Sequence, residues 1–213
     1  MERLIEFDKQ LLLAINHWTS PWADQLMMTM SKIPIWYPVY VLVAIAVFLP
    51  KTYSQRSLYC RECSGAKMWK VGLIAFVSVL LCYIFTDHLS HIVRNAVCRP
   101  RPGLDPEIGS MVRLIAGPGN PYGFFSGHAA NTIGFAILTS LIVRRRAWAV
   151  VSMVWALLIS YSRSYLGQHY PIDVLTGVVC GIIFSLVGYW LYKFLMRKLV
   201  AKHGLSDPRS KGR

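Results

Sequence analysis

The chain has 213 residues, enough for one domain; 54% are hydrophobic and only 15% charged, and the mean hydropathy is +0.41. A net charge of +13 invites a nucleic-acid reading. The basic residues, however, are gathered into short stretches between long apolar runs, which argues against both nucleic-acid binding and an ordinary water-soluble domain.

Residues 1–32 come first. Glu2, Glu6 and Asp8 occupy the region that a signal peptide would make positive, and the apolar stretch 11–15 is too short for one. Leu4, Ile5, Leu11, Leu12, Ile15, Trp18, Trp22, Leu26 and Met30 fall at roughly helical spacing, interrupted by Ser20-Pro21. This predicts helical pieces lying in the membrane interface, with a sixth, weakly apolar span as the other reading.

Five charge-free runs follow, at 33–50, 71–86, 129–143, 147–161 and 174–192, each 15 to 19 residues long. A bilayer core of roughly 30 Å takes about 20 helical residues. The shorter runs reach that length if flanking Ser, Thr, Asn, His and Trp residues belong to the same helices. The pattern predicts an all-α, polytopic membrane bundle of about five transmembrane helices over residues 33–199, preceded by the interfacial segment 1–32. A basic cytoplasmic tail over 200–213 follows.

Between the runs, basic residues alternate sides. Lys51, Arg56, Arg61, Lys67 and Lys70 follow the first run, Arg144, Arg145 and Arg146 separate the third and fourth, and Lys193, Arg197, Lys198 and Lys202 follow the last. Lys/Arg excess marks the cytoplasmic side, so the opposite loops are expected outside the cytoplasm, at a cytoplasmic (inner) membrane. Cys60-Arg-Glu-Cys63 has metal-like spacing but lacks the second pair that a four-ligand zinc site needs; it is read as a reduced cytoplasmic pair.

The outward loops carry the chemistry. Asp87, His91 and Arg94 share a helical face, and Arg99-Pro100-Arg101-Pro102 ends that helix. The turn-rich stretch 117–123 leads to Phe125-Ser126-Gly127-His128, where Ser126 is placed to cap a helix and the N–H groups of Gly127 and His128 to face an anion. Ser162-Arg163 and His169 precede Pro171, suited to the first turn of a helix, and Asp173 lies one turn beyond His169. Arginine's planar fork holds two phosphoryl oxygens and stays charged. A histidine attacking phosphorus divides hydrolysis into two steps, and a second moves the leaving group's proton. Asp173 is the natural partner for the other nitrogen of the attacking ring. Arg99 and Arg113 are read as solvated, with lipid headgroups as their alternative partners. Asp87, His88 and His91 are read equally as a supporting network and as a solvated helix end.

These residues resemble the signature of the type 2 phosphatidic acid phosphatase superfamily, which is shared with vanadium-dependent haloperoxidases and bacterial acid phosphatases. That signature reads Lys-x6-Arg-Pro, Pro-Ser-Gly-His and Ser-Arg-x5-His-x3-Asp. The third motif matches fully at Ser162, Arg163, His169 and Asp173. Arg94 stands in place of the lysine and Phe125 in place of the proline; neither change removes a charge, and both bear on phosphate geometry. The resemblance implies that Arg94, Arg101 and Arg163 bind the phosphoryl oxygens with Ser126 and the Gly127 N–H. It implies that His169 becomes a phosphohistidine, that Asp173 orients it, and that His128 is the general acid. No metal and no other cofactor is expected.

The expected function is therefore that of a lipid phosphate phosphatase whose partners are the bilayer and a lipid substrate. Lipid A phosphate comes first, followed by undecaprenyl diphosphate and phosphatidylglycerophosphate. A haloperoxidase is disfavoured by the apolar runs, since those relatives are soluble. A catalytically silent lipid-binding or transport protein is the alternative of another class. The oligomeric state stays open.

Overall fold

The computed structural model describes residues 2–18, 20–53 and 65–202; Cys60, Cys63 and the tail beyond residue 202 lie outside them. Seven α-helices occur among the described residues: α1 (Glu2–Asn16), α2 (Pro21–Ser31), α3 (Ile33–Ala46), α4 (Gly65–Val97), α5 (Gly127–Val143), α6 (Arg146–Tyr165) and α7 (Pro171–Lys202). No strand appears among the described residues; a single antiparallel bridge joins Pro100 to Tyr122.

Local chemistry accounts for most boundaries. Proline opens α2 and α7, where its missing N–H is no loss. Ser126 caps α5 by accepting from the Ala129 N–H at 3.5 Å, and Arg144, in the left-handed region at φ 57°, closes it.

The central helix is α5, which packs against α4, α6 and α7. Gly177 and Gly181 let α7 approach it: a Cβ at either position would meet the Ser126 or Ala130 carbonyl oxygen at 2.5 or 2.6 Å. This small-residue pair thus works within the chain, the packing role expected for Gly177-x3-Gly181. Around the bundle, Leu80, Phe85, Val150, Leu175, Val179, Leu186 and Trp190 point outward. Contiguous apolar surface of this kind suits lipid, not water.

Among the described residues, only α4 (Trp69–Val97, mean hydropathy 1.9) and α7 (Pro171–Leu199, 2.1) are individually long and apolar enough to cross a bilayer. The bent pair α2–α3, with 52° between its halves, would make a third. The charge-free run 33–50 is thus not one helix. It stops at Ala46 after 14 residues and turns at Pro50–Thr52, reaching spanning length only with α2. The central α5 has 17 residues and is sheathed by its neighbours.

The bundle has two chemically distinct ends. Arg145 donates to the Thr52 carbonyl at 2.8 Å and to that of Lys51, so the basic turns 50–53 and 144–146 share one end. The end of α4, the start of α5, the end of α6 and the start of α7 meet at the other, about 25 Å away along α5 at 1.5 Å per residue.

Helix α1 lies across that second end, inverted relative to a water-soluble amphipathic helix. Asp8, Lys9, Leu12 and Asn16 are buried, whereas Leu4, Ile5 and Phe7 are exposed. Asn16 ties it down, donating to the carbonyls of Arg113 (3.0 Å) and Tyr165 (2.8 Å) and accepting from the Arg113 N–H at 2.7 Å.

Candidate active site

Three chain segments, distant in sequence, converge at this end. Residues 99–101 run alongside 121–123: the Arg101 N–H donates to the Pro121 carbonyl (3.0 Å) and the Gly123 N–H to that of Arg99 (2.9 Å). The loop before α7 is folded back on α6, because the N–H groups of Gln168 (2.9 Å) and His169 (3.2 Å) both donate to the Arg163 carbonyl. The Ser126 N–H donates to the Asp173 carbonyl at 3.0 Å, locking the starts of α5 and α7 together.

Arg94, Arg101 and Arg163 are brought into mutual electrostatic reach. Arg101 is 7% exposed and Arg163 6%. Arg101 donates to the Gln168 side-chain oxygen (2.5 Å) and the Tyr122 carbonyl (3.3 Å), while Arg163 donates to the Ser31 hydroxyl. Among the described residues none of the three forms an ion pair. The buried Nε atoms of Arg94 and Arg163 have no hydrogen-bond partner there. Gathering three desolvated cations with no directly paired carboxylate is unfavourable unless an anion completes the set. Burial, and then Arg94, push the Arg101 guanidinium down to about 10 against the opposing pull of Asp173.

The histidines lie within this field. His169 is 1% exposed. Burial first, then Arg163, Arg101, His128 and Arg94, hold its imidazole well below the usual histidine range, so it is neutral at physiological pH, as a nucleophile must be. His128, in the first turn of α5, is reached by the same three arginines and by the Ser31 backbone. Gly127 lies against Arg94: a Cβ there would be 3.7 Å from its Nη2. The first-turn N–H groups of α5, which have no partner within the helix, thus open beside the arginines.

Asp173 is fully buried one turn after His169, but its oxygens are already engaged. Oδ1 accepts from Arg99 at 2.5 Å and Oδ2 from the Tyr170 N–H at 3.1 Å. His169 Nδ1 lies 3.9 Å from Oδ2, beyond hydrogen-bond distance, and has no partner among the described residues.

Every predicted site residue therefore gathers at this end, while two arginines differ from expectation. Arg99 is not a solvated headgroup ligand: it bridges Asp173 and Asp8 (2.7 Å) and stacks 4.0 Å from the centre of the Tyr170 ring. Nor is Arg113, which pairs with Asp24 at 2.7 Å and donates to the Asn16 carbonyl at 2.9 Å. In both cases the partner is supplied by the N-terminal helices, more than 80 residues away in sequence. Asp87 is 3.8 Å from His91 and accepts from Asn131 at 3.2 Å, a half-exposed network beside Arg94.

Asp8, Lys9, Ser31 and Gln168 escaped the sequence reading. The one local signal was the adjacent opposite-charge pair Asp8-Lys9 just before the apolar stretch 11–15. Lys9 pairs with Glu107 (2.7 Å) and Asp105 (3.3 Å), and the Tyr170 hydroxyl donates to Asp105 at 2.6 Å.

Known proteins resemble this chain. The chain is 34% identical to a lipid A 4'-phosphatase of Bacteroides thetaiotaomicron over 95% of its own length and 82% of the relative's. It is 31% identical to a lipid A 4'-phosphatase of Porphyromonas gingivalis over 91% and 75%. Its fold is that of the transmembrane PAP2-type phosphatidylglycerolphosphate phosphatase of Bacillus subtilis. The two superpose with a TM-score of 0.65 over 93% of this chain and 88% of that one, at 20% identity. The PAP2 superfamily profile matches residues 72–197, from α4 to the last turns of α7, and the chain belongs to that superfamily.

Proposed function

We propose that the protein is an integral-membrane lipid phosphatase that removes a phosphate from lipid A, the 4'-phosphate by likeness to its relatives. The observation that carries this reading is the trio Arg94, Arg101 and Arg163, which form no ion pair among the described residues and are gathered around His128 and His169. Such a cup suits a group whose charge is spread over three equatorial oxygens.

In the reaction, the arginines, Ser126 and the Gly127 N–H hold the phosphoryl oxygens. Neutral His169 attacks phosphorus through Nε2; the P–N bond forms as the phosphorus–lipid oxygen bond breaks, and His128 gives its proton to the departing oxygen. The phosphorylated ring is cationic, and Asp173 faces its Nδ1–H. Water then attacks phosphorus and gives a proton to His128, and the P–N electron pair returns to the ring. No step calls on a metal, because guanidinium groups supply the positive charge.

The reading extends to topology. Helix α1 lies in the interface, with outward Trp18 just after it. The transmembrane domain runs from α2 to residue 199, and α2–α3, α4, α5, α6 and α7 make its five passes. Arg144–Arg146 and the tail 200–213 face the cytoplasm, so the cup opens on the outer face of the cytoplasmic membrane.

The test is phosphate release, with chelator present, from lipid A bearing both its phosphates, undecaprenyl diphosphate and phosphatidylglycerophosphate. Mass spectrometry of the lipid product shows which phosphate leaves. Wild type is expected to prefer lipid A and His169→Ala to release none. Equal release by the two proteins would overturn catalysis and leave a lipid-binding role, and preference for another lipid would reassign the substrate.

A further inference from the structure

The arginine that belongs to no phosphate-binding motif makes the strongest contacts at the site. Its two Nη atoms each hold a different carboxylate, Asp173 at 2.5 Å and Asp8 at 2.7 Å. Its plane lies 4.0 Å from the centre of the Tyr170 ring. Tyr170 is fixed in turn by its hydroxyl bond to Asp105 at 2.6 Å and by its N–H bond to Asp173 Oδ2 at 3.1 Å. Asp8 does double duty: its Oδ1 accepts from the Ile172 N–H at 2.9 Å, in the first turn of α7, one residue before Asp173. Helix α1 therefore grips both the arginine and the backbone that carries the aspartate.

We propose that Arg99, held by Asp8, is a positioning residue that divides the Asp173 carboxylate, occupying Oδ1 and leaving Oδ2 to face His169 Nδ1. This rests on the phosphohistidine reading above. A triad aspartate left to itself gives all its charge to its histidine. Here a guanidinium on the far oxygen tempers that charge, and Asp8 in turn tempers the guanidinium.

The consequence lies in the balance of the two chemical steps. When the P–N bond forms, the ring gains a positive charge that Asp173 stabilises. Stabilised too well, the phosphorylated ring becomes a poor leaving group for the attack by water. Arg99 weakens that stabilisation and keeps the second step fast; Asp8 keeps Arg99 from weakening the first.

The test compares Arg99→Met, Asp8→Asn and Arg99→Lys with wild type and His169→Ala, on radiolabelled lipid A bearing both phosphates in detergent micelles. It measures kcat, KM, trapped phosphoenzyme and the acid limb of kcat/KM. The charged groups facing His169 and Asp173 are Asp8 from α1, Arg94 from α4, His128 from α5, Arg163 from α6, and Arg99 and Arg101 from the loop; the three variants alter only Arg99 and Asp8. Arg99→Met is expected to lower kcat by about tenfold or more with KM little changed, to accumulate phosphoenzyme, and to move the acid limb up by roughly half a unit or more. Asp8→Asn, nearly the same shape, moves the limb down without accumulation. Arg99→Lys restores part of kcat.

Opposite displacements are the signature, because a merely structural role moves both variants the same way or moves neither limb. Limbs displaced in the same direction, or kcat within twofold of wild type for both, would overturn the proposal. If Arg99→Met does not fold, Arg99→Gln, also uncharged, takes its place in the comparison with Asp8→Asn. Equal phosphate release by wild type and His169→Ala would instead sink the functional reading itself.

Discussion

Two groups of charges share one end of this bundle and are built on opposite plans. In the cup, Arg94, Arg101 and Arg163 stand together with no ion pair among the described residues, and buried Nε atoms are left unsatisfied. Beneath α1, every cation has carboxylates: Arg99 has Asp8 and Asp173, and Lys9 has Asp105 and Glu107. The titration behaviour follows. Burial and Arg94 depress Arg101 to about 10. Burial would lower Arg99 too, but Asp173 and Asp8 outweigh it and leave Arg99 raised. The same side chain is left open to an anion in one group and closed as a fastener in the other.

Mutation should separate the two plans. The largest effect is expected from the cup. Arg163→Met removes an oxyanion-binding group and should lower kcat/KM by about 10²–10³-fold. It should leave the thermal midpoint in detergent unchanged or higher, because like-charge repulsion is relieved. A lowered midpoint with activity intact would erase the distinction.

The fasteners should show the reverse. Lys9→Met takes the cation from Asp105, whose side chain is 9% exposed but keeps the Tyr170 hydroxyl and the N–H groups of Glu107 and Ile108. The loss therefore stays below the roughly 3–5 kcal/mol typical of a broken buried pair and is read as a lower unfolding midpoint, with kcat/KM within a few-fold of wild type.

The smallest effect concerns pH and sharpens the contrast within the cup. The folded-state titration of His169 lies well below the histidine range, whereas in the unfolded chain it returns to about 6.5. The unfolded state therefore binds more protons between those limits, and this contribution to stability is fully present above pH 6.5 and is lost as pH falls below it. The acid limb of kcat/KM should likewise fall below pH 6.5. In Arg163→Ala, one of the depressing charges is gone and any residual limb should move upward. A wild-type limb at or above 6.5 would contradict the burial of a neutral ring.

Much of this was legible in one dimension because its signals are local. Charge-free runs report apolar helices, Ser126 reports a helix start, Pro171 reports another, and the spacing from Ser162 to Asp173 keeps its chemistry within a single loop and helical turn. The expectation for residues 33–50 was less accurate, since α3 ends at Ala46 and needs α2 to reach spanning length. Apolar composition does not say where a helix bends.

Arg99 shows the other limit. It stands two positions before Arg101, both beside prolines, and only the spacing from Arg94 marks Arg101 out. One turns into the cup and the other toward α1, and the choice depends on Asp8, 91 residues away. From residue types, short spacings and the family resemblance they carry came the membrane bundle, the phosphate chemistry and the residues proposed to perform it, since each of these is encoded within a few helical turns. Folding in three dimensions selected which arginines stay open and which are closed, and it made the N-terminal helix part of the catalytic frame. Ion pairs form between groups that share space, and proximity across the chain is a property of packing.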